Sequence, residues 1–230
     1  MDIHVAFTPD EAAAAPTGLV IDVIRATSTI CQALAGGYES VLCAAEVEDA
    51  RALAAPQVTL GGERLGVRIE GYDLGNSPRE YLTARTPVLA MSTTNGTRAI
   101  VAAAESCERV LIASLLNLGA VTAAAIAHGD DVAIVCAGVK GSFALDDSYV
   151  AGRIASLLGG DRSDAAEAAV RIAASYPTAE EALRASRSGR NLINHGPELE
   201  ADIPYCARES VLAVVPRLVG RHGVAAEIRA

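Results

Sequence analysis

Short apolar runs recur along the chain, each followed by a polar cluster and then by an alanine-rich stretch. Ile3, Val5 and Phe7 alternate with polar residues and predict a half-exposed first strand. Residues 9–17 read as loop or a short helical turn. Leu19-Val20-Ile21 predicts a buried strand running into Asp22 and Arg25, then the hydroxyls of Thr27, Ser28 and Thr29, then a helix to Ala35 ended by Gly36-Gly37. Strands are expected over 41–44 and 58–60 with a helix over 47–54 between them. The later strand ends in Gly61-Gly62-Glu63-Arg64. Pro87-Val88-Leu89-Ala90-Met91 predicts another buried strand, and 99–104 an alanine-rich helix. A strand over 110–113, a helix over 117–127, a strand over 131–136 and a helix from about 145 to 158 continue the alternation.

Strand-then-helix alternation argues for a mostly parallel sheet sandwiched by helices, an α/β/α arrangement. From 164 to about 208 the pattern turns helical, broken by Pro177, Gly189 and Gly196, and predicts a C-terminal helical appendage. Residues 211–219, containing Pro216, and 224–228 are expected to return as edge strands, where proline is tolerated. No linker, internal repeat or low-complexity tract interrupts the chain, so a single domain over 1–230 is expected. Residues 66–78 lack periodicity yet keep apolar side chains, which marks a functional loop.

One stretch, Ser92-Thr93-Thr94-Asn95-Gly96-Thr97-Arg98, places hydroxyls and an amide between a buried strand and a helix. Asn95-Gly96 can take positive φ angles that let successive N–H groups converge. A helix start adds unpaired N–H groups and partial positive charge. The expectation is an anion cradle that Arg98 closes; the plainer alternative is a turn with an N-cap.

Composition narrows the field. The chain has 230 residues and a formal net charge of −9, with no basic block, which argues against nucleic acid or anionic membrane as partner. No apolar run approaches the roughly 18 residues of a membrane helix. Met1-Asp2-Ile3-His4-Val5 shows neither the charged nor the apolar part of a signal peptide, so a cytoplasmic protein is expected. Five widely spaced cysteines without a CxxC pair read as small buried residues in a reducing compartment. Assembly into a homo-oligomer is left open. Lys140 is the one lysine, set between glycines in Gly138-Val139-Lys140-Gly141.

Ligands of open parallel sheets bind beyond the carboxyl ends of the strands. Asp22 and Arg25, Glu63 and Arg64, residues 92–98, Asn117, and Lys140 with Asp146 and Asp147 all fall there, so one rim should carry them. Carboxylates alone repel an anion, so acids among cations suggest Mg²⁺-assisted phosphoryl chemistry on a small anionic phosphoester. Asp22 as helix cap, Glu63–Arg64 as surface pair and the two acids as helix-start residues are the plainer alternatives. His195, in Asn194-His195-Gly196, is the one site-like histidine. No GxxxxGK[ST], no GxSxG and no cysteine followed six residues on by arginine occurs. Asp22-Val23-Ile24-Arg25 also lacks the second acid of a haloacid-dehalogenase-type phosphatase.

Residues 22–30, Gly61-Gly62-Glu63-Arg64, Gly71-Tyr72-Asp73-Leu74-Gly75-Asn76-Ser77-Pro78, Ser92-Thr93-Thr94-Asn95-Gly96-Thr97 and Cys136-Ala137-Gly138 resemble the 2-phosphosulfolactate phosphatases, in the same order and over most of the chain. The resemblance implies an α/β/α fold and Mg²⁺-dependent hydrolysis of 2-phospho-3-sulfolactate to 3-sulfolactate and phosphate, a step toward coenzyme M. The family's usual Glu-Asp pair after the glycine loop is Asp146-Asp147 here. On this reading Asp22, Asp146 and Asp147 ligate metal or activate water. Arg25, Glu63, Arg64 and Lys140 take part in catalysis, and Asn76, Asn117 and residues Ser92, Thr93, Thr94, Asn95, Gly96, Thr97 and Arg98 bind substrate. A general phosphatase of small phosphorylated hydroxy acids and a non-catalytic anion-binding protein are the alternatives.

Overall fold

The computed structural model describes residues 1–11 and 13–230. Its strands are β1 (Asp2–Ala6), β2 (Ala15–Ile21), β3 (Ser40–Cys43), β4 (Val58–Arg64), β5 (Val67–Arg68), β6 (Val88–Ser92), β7 (Cys107–Ala113), β8 (Val132–Cys136), β9 (Asp161–Arg162), β10 (Arg217–His222) and β11 (Ala225–Arg229). Its helices are α1 (Ala26–Ala35), α2 (Val47–Ala52), α3 (Gly96–Ser106), α4 (Leu118–His128), α5 (Leu145–Leu158), α6 (Asp164–Ala174), α7 (Ala179–Ala185), α8 (Arg187–Asn194), α9 (Pro197–Glu200) and α10 (Asp202–Cys206).

The strands form one sheet in the order β5-β4-β6-β3-β11-β10-β7-β2-β8-β1-β9. Two parallel groups, β4-β6-β3 and β7-β2-β8-β1-β9, make most of it. Alternation along the strands divides the core. Leu19, Ile21, Val132 and Ile134 pack with α4, α5 and α6 on one face. Val20, Ala133 and Val135 pack with α1 and α3 on the other. The expected α/β/α arrangement is therefore the observed one, and residues 164–206 supply the expected run of helices. All five cysteines are buried and unpaired. No helix among the described residues is long and apolar enough to cross a membrane.

Two expectations need correcting. The C-terminal strands do not sit at an edge: β10 and β11 form a hairpin in mid-sheet that joins the two parallel groups. β11 pairs with β3 through three residues, whereas β10 pairs with β7 only at Arg217 and Leu111. Pro216 lies just before β10 and only accepts, taking the Ile112 N–H at 2.8 Å, so it carries no edge signal. β2 also begins at Ala15, earlier than its apolar run, because Thr17 and Gly18 pair with β7 and β8 on both sides. Pairing extends the strand beyond what hydropathy marks.

Candidate active site

Asp22 follows β2 and begins the turn into α1. Its Oδ1 accepts the Ala26 N–H at 3.3 Å, and its carbonyl accepts the Thr27 N–H and hydroxyl. Ser28 donates its hydroxyl to the Val23 carbonyl and Thr29 to the Asn76 carbonyl. The hydroxyl cluster after Asp22 thus fastens the turn and the 66–78 loop, leaving Asp22 on the wall of a cavity of about 380 Å³. Arg25 lines the same cavity. Its guanidinium donates to Asp202 Oδ2 at 2.8 Å and to the Gly66 carbonyl at 2.9 Å. Asp202, fully buried at the start of α10, also accepts the Ser77 hydroxyl and lies 3.5 Å from Arg79.

The end of β4 and the start of α3 meet at Glu63. Its Oε1 accepts both the N–H and the hydroxyl of Thr94 at 2.8 Å, and its Oε2 accepts the Gly66 N–H at 2.7 Å. The loop at 92–98 therefore does hold an anion, but at Thr94 that anion is the protein's own carboxylate. Neither Asn95 nor Gly96 takes a positive φ. Gly96 is required for close approach instead: a Cβ there would stand 2.5 Å from the Ala26 Cβ and 2.9 Å from Asp22 Oδ2.

Lys140 enters from the loop after β8. Val139 and Ser142 exchange two backbone hydrogen bonds, at 2.9 and 3.1 Å, across a turn in which Lys140 has φ 53° and Gly141 φ 72°. Leu65 (φ 56°) and Gly66 (φ 86°) make a similar turn between β4 and β5. Such turns favour Asn or Gly at both positions, so Leu65 and Lys140 are held under strain, and both line the cavity. The Lys140 N–H donates to Asn95 Oδ1 at 3.2 Å.

Asp146 and Asp147 open α5. Asp147 accepts the Val23 N–H on one oxygen and the Gly138 N–H on the other, at 2.9 and 3.0 Å, which ties the β2 and β8 loops together. Asp146 Oδ1 is buried with no hydrogen-bond partner. Burial, with the Glu63 charge second, pushes the Asp22 carboxyl up to about 7. Burial raises Asp146 to about 6, and burial with the neighbouring Asp146 and Asp22 charges raises Asp147 well above its ordinary value. Among the described residues no three His, Cys, Asp or Glu side chains converge as a ready-made metal cage. The donors still fit a hydrated divalent cation. Mg²⁺ typically takes one or two carboxylates plus waters and substrate oxygens, and Asp22 with Asp146, whose Oδ1 has no partner, offers that set.

The structure thus brings Asp22, Arg25, Glu63, Asn76, Thr94, Asn95 and Lys140 to one cavity, with Asp146 and Asp147 close to Asp22. Other expected site residues are placed elsewhere. Arg64 turns to the carbonyls of Glu63 and Ala45 and to the Ser92 hydroxyl, which itself donates to the Ala44 carbonyl. Thr93 and Thr97 are buried against each other, their hydroxyls 3.4 Å apart. Arg98 does not close a cradle; it is 71% exposed and 4.0 Å from Glu46, because the first turn of α3 points it to solvent. Asn117 lies beyond β7 but is fully buried, its amide satisfied by Ser114, Ile112 and Val214. His195 caps α8 outside the cavity, its ring 2.7 Å from the Asn191 carbonyl.

Sequence reasoning missed Asp202 and the whole of α8, whose Arg187, Ser188, Arg190, Asn191 and Asn194 form one wall of the cavity. The available signal was two arginines and two asparagines on an eight-residue helix whose apolar residues are few.

Comparison with known proteins places the chain among its relatives. The family described as "2-phosphosulpholactate phosphatase" matches residues 4–221. A protein of Thermus thermophilus named "Probable 2-phosphosulfolactate phosphatase" is 43% identical, covering 98% of each chain. Proteins of the same name from Deinococcus radiodurans and Symbiobacterium thermophilum are 41% and 39% identical, covering 87% and 90% of this chain and 87% and 93% of their own. A match spanning both the strand-end loops and the helices that wall the cavity makes this chain a member of the 2-phosphosulpholactate phosphatase family.

Proposed function

We propose that this protein is a Mg²⁺-dependent phosphatase that hydrolyses 2-phospho-3-sulfolactate to 3-sulfolactate and phosphate. The observation that carries the reading is one cavity in which Asp22 and Glu63 share a wall with Arg25 and Lys140, with two further buried acids close to Asp22. Family membership supports the same substrate. The chain's relatives carry that activity in their names.

Asp22 and Asp146 are the residues that would hold Mg²⁺, and Asp147 braces the two loops around them. When bound, the cation supplies Lewis-acid polarisation of a phosphoryl oxygen. Asp22 lies on the cavity wall, where its carboxylate would hold the cation and position the attacking water beside it. Arg25 is fixed by Asp202 and Gly66, so its remaining N–H groups can meet phosphoryl oxygens without reorganising. Glu63, holding Thr94 and Gly66, sets the shape of the loop on the facing side. Lys140 neutralises charge on the substrate's anionic groups.

The test is phosphate release from 2-phospho-3-sulfolactate by purified protein with chelator and with Mg²⁺. Release should vanish in chelator and return with Mg²⁺. Full activity in chelator refutes the metal dependence. Equal turnover of 2-phospholactate, which lacks the sulfonate, would make this a general phosphatase of small phosphorylated hydroxy acids.

A further inference from the structure

The cavity holds charges of both signs that do not pair. Asp22 and Glu63 lie on its wall, and so do Lys140, Arg187 and Arg190. None of these three cations stands within ion-pair distance of a carboxylate among the described residues. Arg190 gives one N–H to the Ala185 carbonyl and keeps the rest of its fork; among the described residues Arg187 and the Lys140 ammonium make no side-chain hydrogen bond. The contrast with Arg25 is direct, since Arg25 in the same cavity is already matched by buried Asp202. In a chain of net charge −9, these three cations stand around one cavity with no carboxylate partner and so are free to meet an anion there. They come from two separate segments, the strained turn after β8 and helix α8, so only the tertiary structure gathers them. Asn76 adds a polar atom to the same wall: its residue is 5% exposed and its Oδ1 has no partner.

We propose that Arg187 and Arg190 on α8 form the specificity subsite for the substrate's sulfonate, one of its two acid groups that are not transferred. The inference rests on the phosphatase reading of this cavity and adds the residues that choose among phosphoesters. Asp22 and Arg25 serve the phosphoryl end. The sulfonate, carried on the carbon next to the one that bears the phosphate, then needs its own cations, and Arg64, the other arginine of the strand-end rim, is turned away to backbone carbonyls. Guanidinium forks match the oxygens of such a group, and exposed arginines can meet it without unfolding anything. Serving only the distal group, α8 should affect discrimination rather than the chemical step.

The experiment compares kcat/KM for 2-phospho-3-sulfolactate and for 2-phospholactate in the parent, Arg187→Gln, Arg190→Gln and the double variant, at saturating Mg²⁺. The parent should prefer the sulfonate substrate by about 10- to 100-fold, the worth of one charge-assisted contact. The double variant should lose most of that preference through the sulfonate substrate, with 2-phospholactate changed less than about threefold. An equal loss on both substrates, or no loss on either, overturns the subsite. Calorimetric binding of 3-sulfolactate keeps the two readings apart if the parent turns over neither phosphoester. Tenfold weaker binding in the double variant would then uphold the subsite while the phosphatase reading fails. Unchanged binding would overturn the subsite.

Discussion

Lys140 has a left-handed backbone that costs an ordinary residue about 1–2 kcal/mol, and glycine at the same position would remove that cost. Glycine also raises the entropy of the unfolded chain, by about 0.5–1 kcal/mol. Lys140→Gly should therefore leave stability unchanged or raised by up to about 1.5 kcal/mol, while kcat/KM falls at least about tenfold. Thermal unfolding and phosphate release on the same preparation check this; a destabilised but fully active variant would deny Lys140 its role. Asp202 makes the opposite case. Removing it strands the Arg25 guanidinium, only 4% exposed, without its partner. Asp202→Ala should cost about 3–5 kcal/mol in urea unfolding. Arg98→Ala, on an exposed side chain, should stay within about 0.5 kcal/mol.

At the scale of elements, the site depends on how closely α3 can approach α1. Gly96 permits the contact, because any Cβ would overlap Ala26 and crowd Asp22. Gly96→Ala should destabilise the fold by about 1–3 kcal/mol and lower kcat/KM by displacing the Asp22 carboxylate. Chemical denaturation and steady-state kinetics measure the two effects, and a variant with wild-type values for both would show that α3 can shift freely. The polar run before α3 was expected to cradle a ligand anion through positive φ angles at Asn95-Gly96 and a closing Arg98, and neither feature forms. That its Thr94 would hold Glu63 was not legible, since the partner lies on another strand. α8 illustrates the same limit. Gly189 was expected to break the helical run, yet α8 passes through it, because a glycine there lets the helix sit against the Leu183 carbonyl. Nor did anything local say that its polar side would line the cavity.

For the whole molecule, the buried acids make stability depend on pH and on cation. Asp22 sits near 7 and Asp146 near 6, both above the ordinary 3.8, with Asp147 raised in the same direction. The folded state thus holds these protons where the unfolded chain has released them. Their favourable contribution is complete below about pH 4 and is lost as pH rises through 6 and 7. Protein in chelator should show a melting temperature that falls from pH 5 to pH 8 for this reason. Mg²⁺ should flatten the fall, because binding only the folded state compensates the charge. Asp22→Asn should flatten it even in chelator. A melting temperature that rises over this interval in chelator would contradict the arrangement.

Alternating apolar runs, helix-forming alanines and punctuating glycines determined the α/β/α layering, because those signals act over neighbouring residues. Asp22, Glu63 and Lys140 were legible as rim residues for a related reason, since a parallel sheet sends every strand end to one side. Long-range contacts decided the rest. Pro216 told nothing of the mid-sheet hairpin, Arg64 and Arg98 could not be told apart from Arg187 and Arg190, and Asn117 looked like a ligand until its turn was seen to satisfy it. Which charge stays unmatched is a property of the assembled surface. A guanidinium beside a carbonyl and one beside an open cavity have the same sequence letter, and only folding assigns their partners.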